Sequence, residues 1–335
     1  MDVAHLFRLA SLLRRISRPA RPPRPDPRVV ERPAIAVPGS GAVYDLYEPR
    51  GRRIGSVVAV HGVTLQGARD PRLGNFARSL ARLGVACAMP ALPALADCRW
   101  DTRDLDHLES VVAHLAADPD HRPGLMGFSY GGSYALVAAS RPSISDRIRF
   151  AVCLGAYHSL ENLFDWYIEA GKRAPGSEKE WDNVIYRRLV MAYQQRQTLP
   201  LPETLLSEVK SLLVRYSNGA TPEEKHRFDK AHLRRLDLFS GEVASRDHRV
   251  LEALSPARNL AGIRCPVRLI HDRLDTVVPP VHSERIFAEL RALPSADSHT
   301  LLITPLISHV SLKGFSKIGE VQRLCASIAP LVSAG

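Results

Sequence analysis

From about residue 43 the chain alternates between short apolar runs and longer stretches in which apolar residues recur every three or four positions. The short runs Val57–Val60, Val85–Met89, Gly124–Gly127 and Phe150–Ala156 read as strands buried on both faces. The periodic stretches predict helices. One lies at about 73–83, with Phe76, Leu80 and Leu83 on one side and Gly84 as its stop. A second covers 104–117, carried by Leu105, Leu108, Val111, Val112 and Leu115, and a third runs on from Gly127 through Ala138. Strand and helix in alternation predict a mostly parallel sheet covered by helices on both faces.

The rhythm breaks at residue 158. Residues 158–255 hold helical stretches at 160–170, 181–196, 203–216 and 223–238 and no convincing strand, and they carry two of the three tryptophans, Trp166 and Trp181. Alternation resumes with a strand at Cys265–His271, a helix near 281–292, a strand at 300–304 and a last helix from about 314. The expected organisation is one α/β core in two parts, 33–157 and 256–335, split by a helical cap at 158–255, with no internal repeat.

Residues 1–32 stand apart. Val3, Leu6, Leu9, Leu13 and Ile16 share one helical face, while His5, Arg8, Arg14, Arg15 and Arg18 share the other. A proline-stiffened linker, Arg18–Pro27, follows. Arg8, Ser11 and Arg14 interrupt the apolar face, so it is neither a secretory h-region nor a membrane span. It fits a basic amphipathic helix making peripheral contact, through residues 1–18, with an anionic membrane surface, or a helix that packs on its own domain or frays.

The tail's eight arginines against three acidic residues account for half of the net charge of +10. The remainder is ordinary for a chain of 335 residues, and no nucleic-acid motif accompanies it, so nucleic acid is not an expected partner. The five cysteines are odd in number, widely spaced and set in apolar runs, which reads as reduced, buried thiols in the cytoplasm. The sequence leaves the oligomeric state open.

The candidate chemistry centres on Gly127-Phe128-Ser129-Tyr130-Gly131. G-x-S-x-G between a strand and a helix makes a sharp turn that lifts a serine hydroxyl clear of the sheet. A nucleophilic serine needs a base. His309 follows the last predicted strand, on the sheet edge where the serine emerges, whereas His299 would enter a strand and His282 starts a helix. The base needs an orienting carboxylate, and Asp275, just after the strand ending at His271, is preferred to Asp272, which leaves the strand too early. For the oxyanion hole, the backbone N–H of Tyr130 is one donor and that of Val63, after His61-Gly62, the other. His61 is expected to hold that loop rather than act as a second base. No metal-ligand spacing, phosphate loop or dinucleotide fingerprint is present, so no metal or cofactor is expected.

With these landmarks in place, Val60-His61-Gly62-Val63-Thr64, Gly127–Gly131, Asp275–Pro279 and His309, the chain resembles the α/β-hydrolase superfamily over about 40–157 and 256–332. Within it, the similarity is greatest to bacterial enzymes of the dienelactone-hydrolase, esterase and serine-peptidase-like group. The chain departs from the usual pattern in having Asp272 where the family often has Gly, and serine at the elbow excludes the cysteine nucleophile of dienelactone hydrolases proper. The resemblance implies two-step acyl transfer on a small-molecule, ester-like substrate, with a carboxylesterase foremost. Peptidase, thioesterase and acyltransferase remain open on the same triad, as does a non-catalytic, membrane-associated binding protein that keeps the fold. Trp166, Tyr167, Trp181 and Tyr186 are candidates either for an apolar pocket or for the core of the cap.

Overall fold

The computed structural model describes residues 26–332 except 118–121, 172–177, 197–200, 217–218, 237, 239–246, 310 and 313–317. The amphipathic face of residues 1–18 lies outside the described residues.

Eight strands form one sheet in the order β1-β2-β4-β3-β5-β6-β7-β8. They are β1 (Val29–Ala36), β2 (Val43–Pro49), β3 (Gly55–Val60), β4 (Val85–Pro90), β5 (Gly124–Phe128), β6 (Ala151–Leu154), β7 (Val267–Asp272) and β8 (Thr300–Thr304). β2 runs antiparallel to both β1 and β4, and every other pairing is parallel. Every residue of β3 and β4 is buried, which accounts for sequences that are apolar but for Ser56.

β1 moves the start of the core ahead of the expected residue 33: the sheet starts at Val29, just after the stretch read as linker. Its sequence, Val-Val-Glu-Arg-Pro-Ala-Ile-Ala, hides a strand because it lies at the sheet edge with most side chains in solvent. Pro33 is tolerated on an edge. A register shift between Arg32 and Ile35 accommodates Ala34 at φ 55°, whose N–H donates to Asp45 Oδ1 at 2.8 Å. Glu31 then accepts a forked pair of hydrogen bonds from Arg78, at 2.7 and 2.8 Å, tying the edge to the first helix.

The helices around the sheet are α1 (Pro71–Arg82), the single turn α2 (Pro93–Ala96), α3 (Arg103–Leu115) and α4 (Tyr130–Ser140). Five follow between β6 and β7: α5 (Leu160–Gly171), α6 (Glu178–Gln194), α7 (Glu203–Arg215), α8 (Pro222–Ala231) and α9 (His248–Ala253). α10 (Val281–Leu290) and α11 (Ile318–Ile328) complete the set. Phe76 and Leu80 of α1 join Leu324 and Ile328 of α11 in a core on one face of the sheet. Leu105 and Leu108 of α3, Leu136 of α4 and Ile286 of α10 belong to the core on the other. A third cluster, including Ile185, Leu189, Val209 and Leu212, forms among the helices between β6 and β7. No strand interrupts those helices among the described residues. The single helix expected over 223–238 is instead α8 followed by a 3-10 turn at Leu233–Arg235, the break falling at His232. Among the described residues no helix is long and apolar enough to cross a membrane.

Candidate active site

β5 delivers Phe128 to the carboxyl edge of the sheet, and the chain reverses at Ser129, which adopts φ 54°, ψ −125° before α4 begins at Tyr130. Such a backbone is strained for any residue with a side chain. Two contacts hold it: Ser129 N–H donates to Leu154 O at 2.7 Å, and Gly132 N–H donates to Ser129 O at 2.8 Å. The flanking glycines are required by close approach. A Cβ on Gly127 would lie 2.3 Å from Gly131 O, and one on Gly131 would lie 2.3 Å from His61 O. Strand β5, helix α4 and the end of β3 meet there with no room for a methyl group.

Ser129, Asp275 and His309 come together from three strand ends. His309 Nε2 lies 2.8 Å from Ser129 Oγ, and His309 Nδ1 lies 2.6 Å from Asp275 Oδ2. With Nδ1–H donating to the carboxylate, Nε2 is left to accept from the serine hydroxyl. The other oxygen of Asp275 accepts from the N–H groups of Val277 and Val278, at 2.8 and 3.0 Å. Asp275 is buried. Burial alone would raise its pKa, but the charge of His309 and the hydrogen bonds from His271 and His309 outweigh it and hold the carboxyl well below the usual range.

Asp272, the rival carboxylate, has a different place. Its Oδ1 accepts from Leu274 N–H at 3.0 Å and its Oδ2 from His309 N–H at 3.1 Å. It therefore ties the backbone of the histidine loop to the end of β7, with His309 at φ 54°. His271, unremarked in the sequence, is fully buried behind the acid loop. One ring nitrogen is 2.7 Å from Val278 O and the other 2.7 Å from Ser283 Oγ. Nothing in its sequence context separates it from any other residue of a buried strand. His299 lies just before β8, its Nδ1 accepting from Val267 N–H at 3.2 Å, and His282 Nδ1 accepts from His158 N–H at 3.2 Å. Neither is placed with Ser129.

After β3, His61 is completely buried, its Nδ1 2.7 Å from Gly62 O. Burial pushes its pKa down, favouring the neutral ring. Asp70 shapes the same loop: it caps α1 by accepting from Arg72 N–H at 2.9 Å and accepts from Thr64 Oγ at 3.2 Å. Val63 and Tyr130 line one small cavity with Ser129. Its volume is about 20 Å³.

Aromatic side chains wall this cavity. Trp100 stacks on Tyr130 at 5.1 Å, and the Tyr130 and Tyr167 hydroxyls are 3.3 Å apart. Burial raises the Tyr167 phenol to about 12 and lifts that of Tyr130 well above its ordinary value, so both remain protonated. Tyr167 of α5 and Tyr186 and Arg187 of α6 line the cavity. Trp166 lies behind, under Arg187, while Trp181 packs with His226 and Arg234. Tyr186 also reaches down to the β3 loop, its hydroxyl donating to Val63 O at 2.9 Å. Among the described residues no group of three His, Cys, Asp or Glu is placed to hold a metal ion.

No protein-family model matches the chain, and no curated protein matches it in sequence. Solved structures do match. A Pyrococcus furiosus esterase aligns with a TM-score of 0.52 and 14% identity over 94% of this chain and 98% of its own. A 2,6-dihydroxy-pseudo-oxynicotine hydrolase aligns with a TM-score of 0.52 and 16% identity, over 91% and 68%. A puromycin-hydrolyzing peptidase of Mycobacterium tuberculosis gives 0.51 and 17% over 92% of this chain and 40% of its own. At such identities the likeness carries the fold. The strand order, the direction of β2 and the strand–turn–helix at Ser129 agree with it: this chain has the fold of the α/β-hydrolase superfamily.

Proposed function

We propose that the chain is a serine hydrolase that cleaves a small ester-like substrate by two-step acyl transfer, a carboxylesterase in the first instance. The observation that carries this reading is the unbroken chain of contacts from Ser129 Oγ to His309 Nε2 and from His309 Nδ1 to Asp275, at 2.8 and 2.6 Å. Ser129 Oγ attacks the acyl carbonyl as His309 takes its proton, and the imidazolium so formed is stabilised by the ionised Asp275. The N–H groups of Val63 and Tyr130 receive the developing oxyanion. His309 returns the proton to the leaving group, then draws one from the water that releases the acid and regenerates Ser129.

The helices of 158–255 act in this reading as a cap. Supporting that role, Tyr167 and Tyr186 line the cavity, and Asn183 Nδ2 donates to Thr276 Oγ in the acid loop. We place the protein in the cytoplasm, where its five free, buried cysteines would stay reduced, with residues 1–18 resting on the inner membrane face.

Matched ester, thioester and amide substrates test the reaction class. The ester and thioester should be turned over well ahead of the amide. S129A and H309A should each lose about four orders of magnitude or more in kcat. Preferential cleavage of the amide would make the protein a peptidase, and full activity in S129A would end the proposal.

A further inference from the structure

Arg187 lines the cavity that holds Ser129 and is 5% exposed. Its Nε and Nη1 are buried with no hydrogen-bond partner. The cavity is lined by no carboxylate among the described residues. The arginine next to it behaves quite differently. Arg188 holds both oxygens of the buried Asp229, at 2.8 and 3.0 Å, and just past the end of the helix Arg196 pairs with Asp97 at 2.5 Å. Arg188 and Arg196 are thus each satisfied by an acid, whereas Arg187, between the cap and Ser129, has none among the described residues.

An unpaired buried guanidinium is costly, and an arginine does not escape by giving up its proton. The ring faces of Trp166 and Tyr167, 4.8 and 5.4 Å from the guanidinium carbon, offset part of that cost. They leave the in-plane N–H groups unused, and it is those that match the geometry of a carboxylate. The remaining walls are mostly aromatic and aliphatic, with an amide from Gln194. They offer one charge and little else for a dianion.

We propose that Arg187 is a specificity-determining residue that binds a carboxylate on the substrate, so that the preferred substrates are esters bearing a single carboxylate away from the scissile carbonyl. The inference rests on the serine-hydrolase reading above. Arg187 takes no part in the bond-making steps: it anchors the far end of the substrate while Ser129 attacks the ester. Binding energy at that remote charge favours the productive pose over unanchored ones.

The test compares esters carrying a terminal carboxylate, at graded distances on the acyl or the alcohol side, each beside its neutral carboxamide. In the parent, the carboxylate member of at least one pair should show a kcat/KM roughly ten to a hundred times that of its carboxamide. In R187M, which keeps an apolar stem over Trp166 and Tyr167, that ratio should fall to near one, with R187K between the two. Thermal melting shows whether each variant is folded, and R187K supplies the comparison if R187M is not. No carboxylate preference in any pair, or an equal loss on both members in R187M, would overturn the proposal.

A fluorophosphonate keeps the two readings apart. If Ser129 is labelled but no ester is turned over, the half-amide of adipic acid should slow labelling of the parent and not of R187M, and absence of protection overturns the carboxylate site. Stronger protection by phenyl phosphate would replace carboxylate with phosphate. Absence of both labelling and turnover would instead overturn the hydrolase reading itself.

Discussion

The turn at Ser129 is held by what is missing on either side of it. Gly127 and Gly131 each face backbone atoms that a Cβ would approach to 2.3 Å, so neither neighbour can yield by a side-chain rotation. G127A or G131A should cost about 3 kcal/mol or more, or shift Ser129 off its backbone angle, and chemical denaturation with a parallel activity assay would register either. The glycines and the serine fall within five consecutive residues, and for that reason G-x-S-x-G was legible in the sequence, although Gly131 answers to His61 O at the end of β3. The division of labour between Asp272 and Asp275 was less so, because it depends on His309, 37 and 34 residues farther along the chain. Sequence position favours Asp275 as the acid but gives no hint that Asp272 holds the histidine's N–H. D272A should lower kcat about tenfold or more by misplacing His309, and D272N, which keeps one acceptor oxygen for the two N–H groups that Asp272 serves, should recover part of the loss. Equal loss in both would mean that the charge matters rather than the tether. The depressed pKa of Asp275 adds a stability term with a definite sign. Its folded value lies below the unfolded value of about 4, so the contribution is complete above the unfolded value and is lost as the pH falls toward the folded one. D275N should therefore lose less stability than the parent between about pH 5 and pH 2 in melts run across that range, whereas parallel pH curves would contradict the assignment.

Among the elements, those buried on both faces announced themselves. β3, β4 and β6 are apolar but for Ser56 because helices cover each side of the sheet. β1 did not, since an edge strand with exposed Glu31, Arg32 and Pro33 carries the composition of a linker. The start of α1 follows from Asp70 and Pro71, a cap and a first-turn proline, and the same Asp70 reaches back to Thr64 and so fixes the loop that carries Val63. That loop has a second tie, the hydroxyl of Tyr186 on Val63 O. Y186F should slow Ser129 acylation several-fold with little change in melting temperature, because the lost bond fixes one oxyanion donor rather than the core. Unchanged acylation would show that Asp70 holds the loop unaided. No pattern in the sequence announces the Tyr186 bond, which joins residues 123 positions apart.

At the scale of the whole molecule, cores on the two faces of one sheet support the strand ends that carry Ser129, Asp275 and His309, and a third, separate cluster holds the intervening helices together. The break in strand–helix rhythm at residue 158 was legible in the sequence. The inward turn of Arg187 on α6 was not, because helical periodicity alone does not separate it from Arg188. The basic tail is tested by sedimentation with anionic vesicles: the full chain should pellet more than a truncated one, and equal pelleting would remove the membrane contact. The truncation should begin at Asp26 rather than at Arg32, since Asp26 accepts hydrogen bonds from Arg28 and Arg82 and β1 starts at Val29. The claim on which the rest depends is that Ser129 is a nucleophile activated by His309. Incubation with a fluorophosphonate followed by peptide mass mapping measures it without knowledge of the substrate. The parent should gain one phosphonyl adduct, on Ser129, and both S129A and H309A should stay unlabelled over the same interval. Labelling at another serine, or undiminished labelling of Ser129 in H309A, would contradict the mechanism.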